Sequence, residues 1–168
     1  MSIAELLLPE YDREIIITRK VLERVPDGQG EWKPHEKSFP IAHLAQLVAR
    51  LPGWVSMVTD KTELDIAPKD GPKHAGYSIE TTATLVAEFE KNAIAGRDAI
   101  ARTTDEQFAA PWSFKRAGDT VFTQPRYQAL RSTVLNHLVH HRAQLGLYLR
   151  MTDQQVPQMY GPSADDRS

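Results

Sequence analysis

Apolar and polar residues follow the period of an α-helix in four stretches of this chain. Ile3, Leu7, Tyr11, Ile15, Thr18, Leu22 and Val25 recur at steps of three and four, the spacing that gathers side chains on one helical face. They predict a first helix over about 3–25, stopped by Pro26-Asp27-Gly28. Pro9 either kinks it or marks its first regular turn. After a connector with Trp32 and Pro34, Ser38 reads as the N-cap of a second helix reaching about 59. On it His43, Leu47, Arg50, Leu51, Trp54 and Val58 share one side. Pro52 has no N–H to give the carbonyl of Val48, so a kink is expected there.

Residues 60–79 are polar and rich in Lys, Asp, Pro and Gly. They read as a long crossover, which frees the next helix from having to run antiparallel to the second. That third helix covers about 79–102, with Leu85, Phe89, Asn92 and Ile100 inward and Ala93 and Ala99 nearby. The pattern then stops being helical. Pro111–Lys115 and Thr120–Thr123 flank Arg116-Ala117-Gly118-Asp119, which reads as a hairpin with Gly-Asp in its turn. A fourth helix spans about 126–151 on a stripe of Leu130, Val134, Leu138, Leu145 and Tyr148, and an irregular tail follows from Gln155. The expected fold class is therefore all-α: one four-helix-bundle domain over 1–168, with a small hairpin between helices three and four. Trp32, Trp54 and Trp112 read as core or loop anchors.

The chain has 168 residues, enough for four helices to bury a shared core. Its net charge is −2, and Lys and Arg are scattered, so neither nucleic acid nor an anionic membrane is an expected partner. No apolar run approaches the roughly 20 residues of a membrane span. Met1-Ser2-Ile3-Ala4-Glu5 lacks a basic stretch followed by an apolar run, so no signal peptide is expected and the cytoplasm is the expected compartment. Cysteine is absent, which excludes disulfides and thiolate ligands and leaves His nitrogen and carboxylate oxygen as donors for a metal.

Histidine is where the pattern becomes chemical. Asn136-His137-Leu138-Val139-His140-His141 places three of the six histidines on the fourth helix. Residues advance by about 100° on a helix, so His137 and His141 lie one turn apart, roughly 40° from each other, within the inward stripe. Two imidazoles at i,i+4 can aim at one cation. They can equally be buried core residues, each of which then needs a hydrogen-bond partner. His140 lies about 100° from His141, at the stripe's edge. His43 faces inward on the second helix and is the candidate third ligand. His35 and His74 fall in connectors and are expected to be exposed.

The block Asn136-His137-Leu138-Val139-His140-His141-Arg142-Ala143-Gln144-Leu145, with Tyr148-Leu149-Arg150, Val156-Pro157 and Tyr160-Gly161-Pro162-Ser163, resembles the C-terminal signature of the DinB-like (damage-inducible) superfamily. Trp32-Lys33-Pro34-His35-Glu36-Lys37-Ser38 resembles the stretch before that family's second helix. The resemblance covers essentially the whole chain. It implies an up-down-down-up bundle, often dimeric, holding a divalent metal, typically nickel or zinc, on three histidines. His137 and His141 match the family's HxxxH pair. The family's third histidine falls at Leu47, and His43 stands one turn earlier on the same face.

Characterised members of that superfamily include transferases and isomerases that use small thiols, so the resemblance implies a thiol-dependent transferase acting on an electrophilic substrate. A cation on His43, His137 and His141 would keep its 2+ charge and acidify a bound thiol or water. Arg142 and Gln144 match the signature, and with His140 they are candidates for supporting the ligands or the helix. A metal-dependent hydrolase is the alternative enzyme, although no Glu stands in the HxxxH segment as general base. A non-catalytic metal- or ligand-binding stress protein with a degraded site is the alternative from another class, favoured by Leu47. Leu135, Val139, Ala143, Gly146 and Leu147 form a second stripe opposite the histidines. That stripe predicts a homodimer through the fourth helix, unless the tail or hairpin covers it.

Overall fold

The structure, a computed structural model, describes residues 1–69 and 76–167. His74 and the middle of the expected crossover lie outside the described residues. The chain is predominantly helical. Helix α1 (Ile3–Leu22) starts with a capping box in which Ser2 accepts from the Glu5 amide. Pro9 sits inside it without ending it. Leu7, Tyr11, Thr18 and Leu22 are buried as the spacing predicts.

The second helical stretch starts later than expected. Helix α2 (Ile41–Arg50) is capped by Pro40, not Ser38, because a residue that precedes proline, here Phe39, is steered away from helical backbone angles. At Pro52 the expected interruption is a 3-10 turn over Leu51–Gly53, and α3 (Trp54–Thr59) continues beyond it. Residues of the expected crossover contribute a short strand, β1 (Glu63–Asp65). Helix α4 (Thr82–Arg102) begins after Thr81, whose hydroxyl accepts from the Thr84 amide.

The segment read as non-helical holds a short helix, α5 (Asp105–Ala109), made by a Thr104/Gln107 capping box that the sequence reading missed. The hairpin is present as β2 (Pro111–Arg116) and β3 (Asp119–Pro125). Its turn residues are Ala117 and Gly118, at φ 53° and 88°, rather than Gly-Asp. Positive φ at both centres is what a two-residue hairpin turn of type I′ requires. The hairpin is not isolated. Strand β1 pairs parallel to β2, so the sheet has three strands in the order β1-β2-β3. The Asp65 carboxylate accepts from the Ala117 and Gly118 amides at 3.0 and 2.7 Å, which ties β1 to the turn.

The last helical stretch is α6 (Arg126–Ala129), a π-helical segment over Leu130–Leu135, and α7 (Asn136–Met151). The π segment corrects the sequence reading. A π turn holds one extra residue, and one residue is worth about 100° of rotation. Everything after Leu135 is therefore turned relative to a continuous α-helix. Arg142, Gly146 and Leu149 are consequently buried, as is Leu135 within the segment itself, although Leu135 and Gly146 belonged to the stripe expected to face outward. Val156 and Met159 of the tail lie over Gly146, so the tail covers part of that stripe.

Contacts fix how the helices run past one another. Arg97 with Asp12 and Arg19 with Glu90 pair α1 and α4 in opposite senses. Gln46 with Glu88, Asn92 with Ala49, and Arg102 with Asp60 pair the α2–α3 stretch and α4 in the same sense. Arg131 with Glu10 and Arg142 with Glu14 pair α1 with the last stretch in the same sense. Trp54 against His137, with Phe39 and Trp32 of the connector leading into α2 against His141 and Tyr148, sets the α2–α3 stretch and α7 in opposite senses. The core has two parts. One is built around Leu22, Leu44, Val48, Phe89, Leu138 and Leu145, and the other around Tyr11, Val58, Ile100, Phe108, Trp112 and Leu130. Trp54 packs against both. Among the described residues no helix is long and apolar enough to cross a membrane.

A candidate bis-imidazole site

His137 and His141 stand one turn apart on α7 and face each other, Nε2 to Nε2, at 2.8 Å. Their other nitrogens are engaged from behind. His137 Nδ1 lies 3.2 Å from the Thr133 carbonyl oxygen, one turn back. His141 Nδ1 lies 2.8 Å from Gln144 Oε1, one turn ahead. A carbonyl oxygen only accepts, so His137 carries its proton on Nδ1 and presents a bare Nε2. Gln144 presents Oε1 or, with its amide turned, NH₂ to His141 Nδ1, and with Oε1 there His141 is Nδ1–H and has a bare Nε2 as well. This is the second-shell arrangement that orients imidazoles toward a metal. A separation of 2.8 Å lies within reach of one cation at metal–nitrogen bonds of about 2.0–2.1 Å.

The walls are aromatic. The Trp54 ring meets His137 edge-on at 5.6 Å, and Phe39 lies 6.4 Å from His141. His43 is stacked between Phe39 and Tyr77, each 4.1 Å away. Burial lowers the pKa of all three histidines by disfavouring the imidazolium. For His137 and His141 the hydrogen bonds to the Thr133 carbonyl and to Gln144 oppose that shift, while neighbouring histidines add to it. The fold thus favours neutral rings, the form that ligates.

Not every expected ligand joins the pair. Among the described residues no group of three His, Cys, Asp or Glu side chains is placed to hold a metal. His43 comes near enough to act on His141 electrostatically, but its ring is held in the aromatic stack. Leu47, where the resemblance puts a third imidazole, is buried in the core. His140 is exposed and meets His141 edge-on at 4.8 Å, with no hydrogen bond to the pair among the described residues. It lines a cleft of about 400 Å³ with Glu10, Glu14, Leu135 and Tyr160. His35, in its connector, is exposed as expected.

Arg142 turns away from the histidines. Its guanidinium, 1% exposed, pairs with Glu14 at 2.7 Å and donates to Thr18 Oγ1 and Tyr160 Oη. Tyr160 in turn donates to Glu14 at 2.7 Å. Of the three residues considered as support for the ligands, Gln144 alone hydrogen-bonds one among the described residues. The sequence reading missed Glu14, although it falls between Tyr11 and Thr18 on the inward stripe of α1. It also missed Thr133, Phe39 and Tyr77. Phe39 stands four residues before His43 and lay in plain view; the role of the Thr133 carbonyl carries no side-chain signal.

The chain is similar in structure to a DinB-like protein from Bacillus cereus, with a TM-score of 0.70 and 18% identity over 91% of this chain and 95% of that one. It is also similar to a DinB-like protein from Bacillus subtilis, with a TM-score of 0.67 and 13% identity over 94% of this chain and 99% of that one. No family model and no curated protein matches it. The likeness extends over nearly the full length of both chains, and it gives this protein the DinB-like fold.

Proposed function

We propose that this chain is a divalent-metal protein on the DinB-like fold, with nickel or zinc held by His137 and His141. The observation that carries the reading is the convergence of the two Nε2 atoms while both Nδ1 atoms meet oxygen acceptors. Such a convergence needs either a shared proton or a cation between the two nitrogens, and a cation takes both lone pairs at once. Two imidazoles rather than three leave more of the coordination sphere to water or substrate. Bound there, a 2+ cation would acidify a coordinated thiol or water. His43, if released from its stack, is the side chain available to add a third nitrogen.

The reaction class we propose is transfer of a small thiol to an electrophile, because among the described residues no carboxylate joins the pair to serve as base for hydrolysis. Phe39, Tyr77 and Trp54 would exclude water around the thiol and present an apolar wall to the electrophile. The pairwise helix senses support an up-down-down-up four-helix bundle as the frame. Ala143, Leu147 and Met151 stay exposed on α7, and they support a homodimer through that helix, which sedimentation would report at micromolar concentration.

Elemental analysis of untagged protein tests the metal. Near-stoichiometric nickel or zinc is expected, lost in both His137→Ala and His141→Ala and kept in His140→Ala. Wild-type protein that takes up no nickel, zinc, manganese or iron would end the reading in favour of a non-catalytic bundle. In that event Leu47→His should create binding. Thiol consumption in the presence of an electrophile, with and without metal, separates a transferase from a metal store.

A further inference from the structure

Gln144 carries an inference that rests on the metal reading and deepens it. The Thr133 carbonyl fixes the His137 tautomer, because it can only accept. Nothing so rigid fixes His141, whose Nδ1 faces a side-chain amide at 2.8 Å. That amide offers oxygen on one side and NH₂ on the other, and a half-turn exchanges the two in nearly the same space.

With Oε1 toward Nδ1, His141 must be Nδ1–H, and two bare Nε2 atoms face each other at 2.8 Å. This state suits a bound cation. Without a cation it sets lone pair against lone pair in a partly buried place. Turning the Gln144 amide removes the conflict. Its NH₂ then donates to His141 Nδ1, the proton of His141 moves to Nε2, and Nε2–H donates to His137 Nε2. Every ring nitrogen of His141 and His137 then has a partner.

We infer that Gln144 is a positioning residue that switches the His141 tautomer between the metal-free and metal-loaded states by turning its amide. A glutamine serves both states. A carboxylate could only accept and would hold the loaded tautomer permanently. An apolar isostere would hold neither.

Long-range ¹H–¹⁵N correlation spectra of histidine-labelled protein at pH 8, in chelator and then with zinc, read the tautomers directly. In wild type His137 should be Nδ1–H throughout, and His141 should change from Nε2–H without zinc to Nδ1–H with it. In Gln144→Glu, metal-free His141 should already be Nδ1–H, with zinc affinity at or above wild type. In Gln144→Met, which keeps the side chain's shape, zinc affinity should fall about 10–100-fold. His141 found as Nδ1–H in metal-free wild type overturns the switch, and so does zinc binding by Gln144→Met equal to wild type. Either result leaves the metal reading standing. Failure of wild type to bind zinc, nickel, manganese or iron overturns both.

Discussion

Replacing Arg142 with methionine should destabilise the protein severely, through Glu14. The guanidinium and carboxylate are 1% and 7% exposed and 2.7 Å apart. Removing the cation keeps most of the side-chain volume but leaves a carboxylate that water barely reaches. The Tyr160 hydroxyl, donating at 2.7 Å, would be its one remaining side-chain partner among the described residues. Breaking a buried pair from one side costs about 3–5 kcal/mol. A domain of this size loses about 2–4 °C per kcal/mol, so Tm should fall by roughly 6–20 °C on the same basis. The pair itself is a weaker stabiliser than that loss suggests. Arg142 Nε has no partner among the described residues, and desolvation offsets much of the attraction. Changing both partners, Glu14→Leu with Arg142→Met, should therefore recover most of the stability. Urea midpoints and thermal melts of the two single variants and the double variant form the required cycle. A single Arg142→Met variant within about 1 kcal/mol of wild type, well below the cost of a broken buried pair, would refute the reasoning.

Gly96→Ala sets two effects against each other. Helix propensity favours alanine by about 1 kcal/mol, but the new methyl would overlap the Tyr11 hydroxyl and the Pro52 carbonyl oxygen. Overpacking costs about 1–3 kcal/mol, so we expect a net loss, and a rise in urea midpoint would contradict the packing. The second expectation concerns pH in chelator. His137 and His141 bind protons more weakly folded than unfolded, so protons favour the unfolded chain below its ordinary histidine pKa of about 6.5. Stability should be flat above that pH and fall as pH drops below it. Urea midpoints from pH 8 to 5 should show a slope that weakens when either histidine is replaced by alanine.

Side-chain periodicity revealed the four helical stretches, because each needs one apolar face. It revealed the His137–His141 pair for the same reason. What it could not convey was phase. The π segment over Leu130–Leu135 leaves no mark in an apolar pattern that still reads at steps of three and four. That is why Gly146 was placed outside and the burial of Arg142 went unnoticed. Strand β1 was hidden for another reason. Three residues, Glu63-Leu64-Asp65, are too short for a period, and their pairing to β2 is made through the backbone. The departure at Leu47 was legible as a substitution. That His43 would be taken up by Phe39 and Tyr77, instead of joining the pair, depended on a contact with a residue 34 positions away.

The π segment also makes chain length a variable that the chemistry depends on. It lies directly upstream of both imidazoles and of the Arg142 that anchors α7 to α1. Losing a single residue within 130–135 would remove neither imidazole and would leave Arg142 in the chain. It would instead turn all of α7 by about 100°, swinging the histidine pair off its aromatic walls and Arg142 away from Glu14 in one motion. Site and anchor are geared to the same short stretch of backbone, so the protein could not lose the register of one and keep the other.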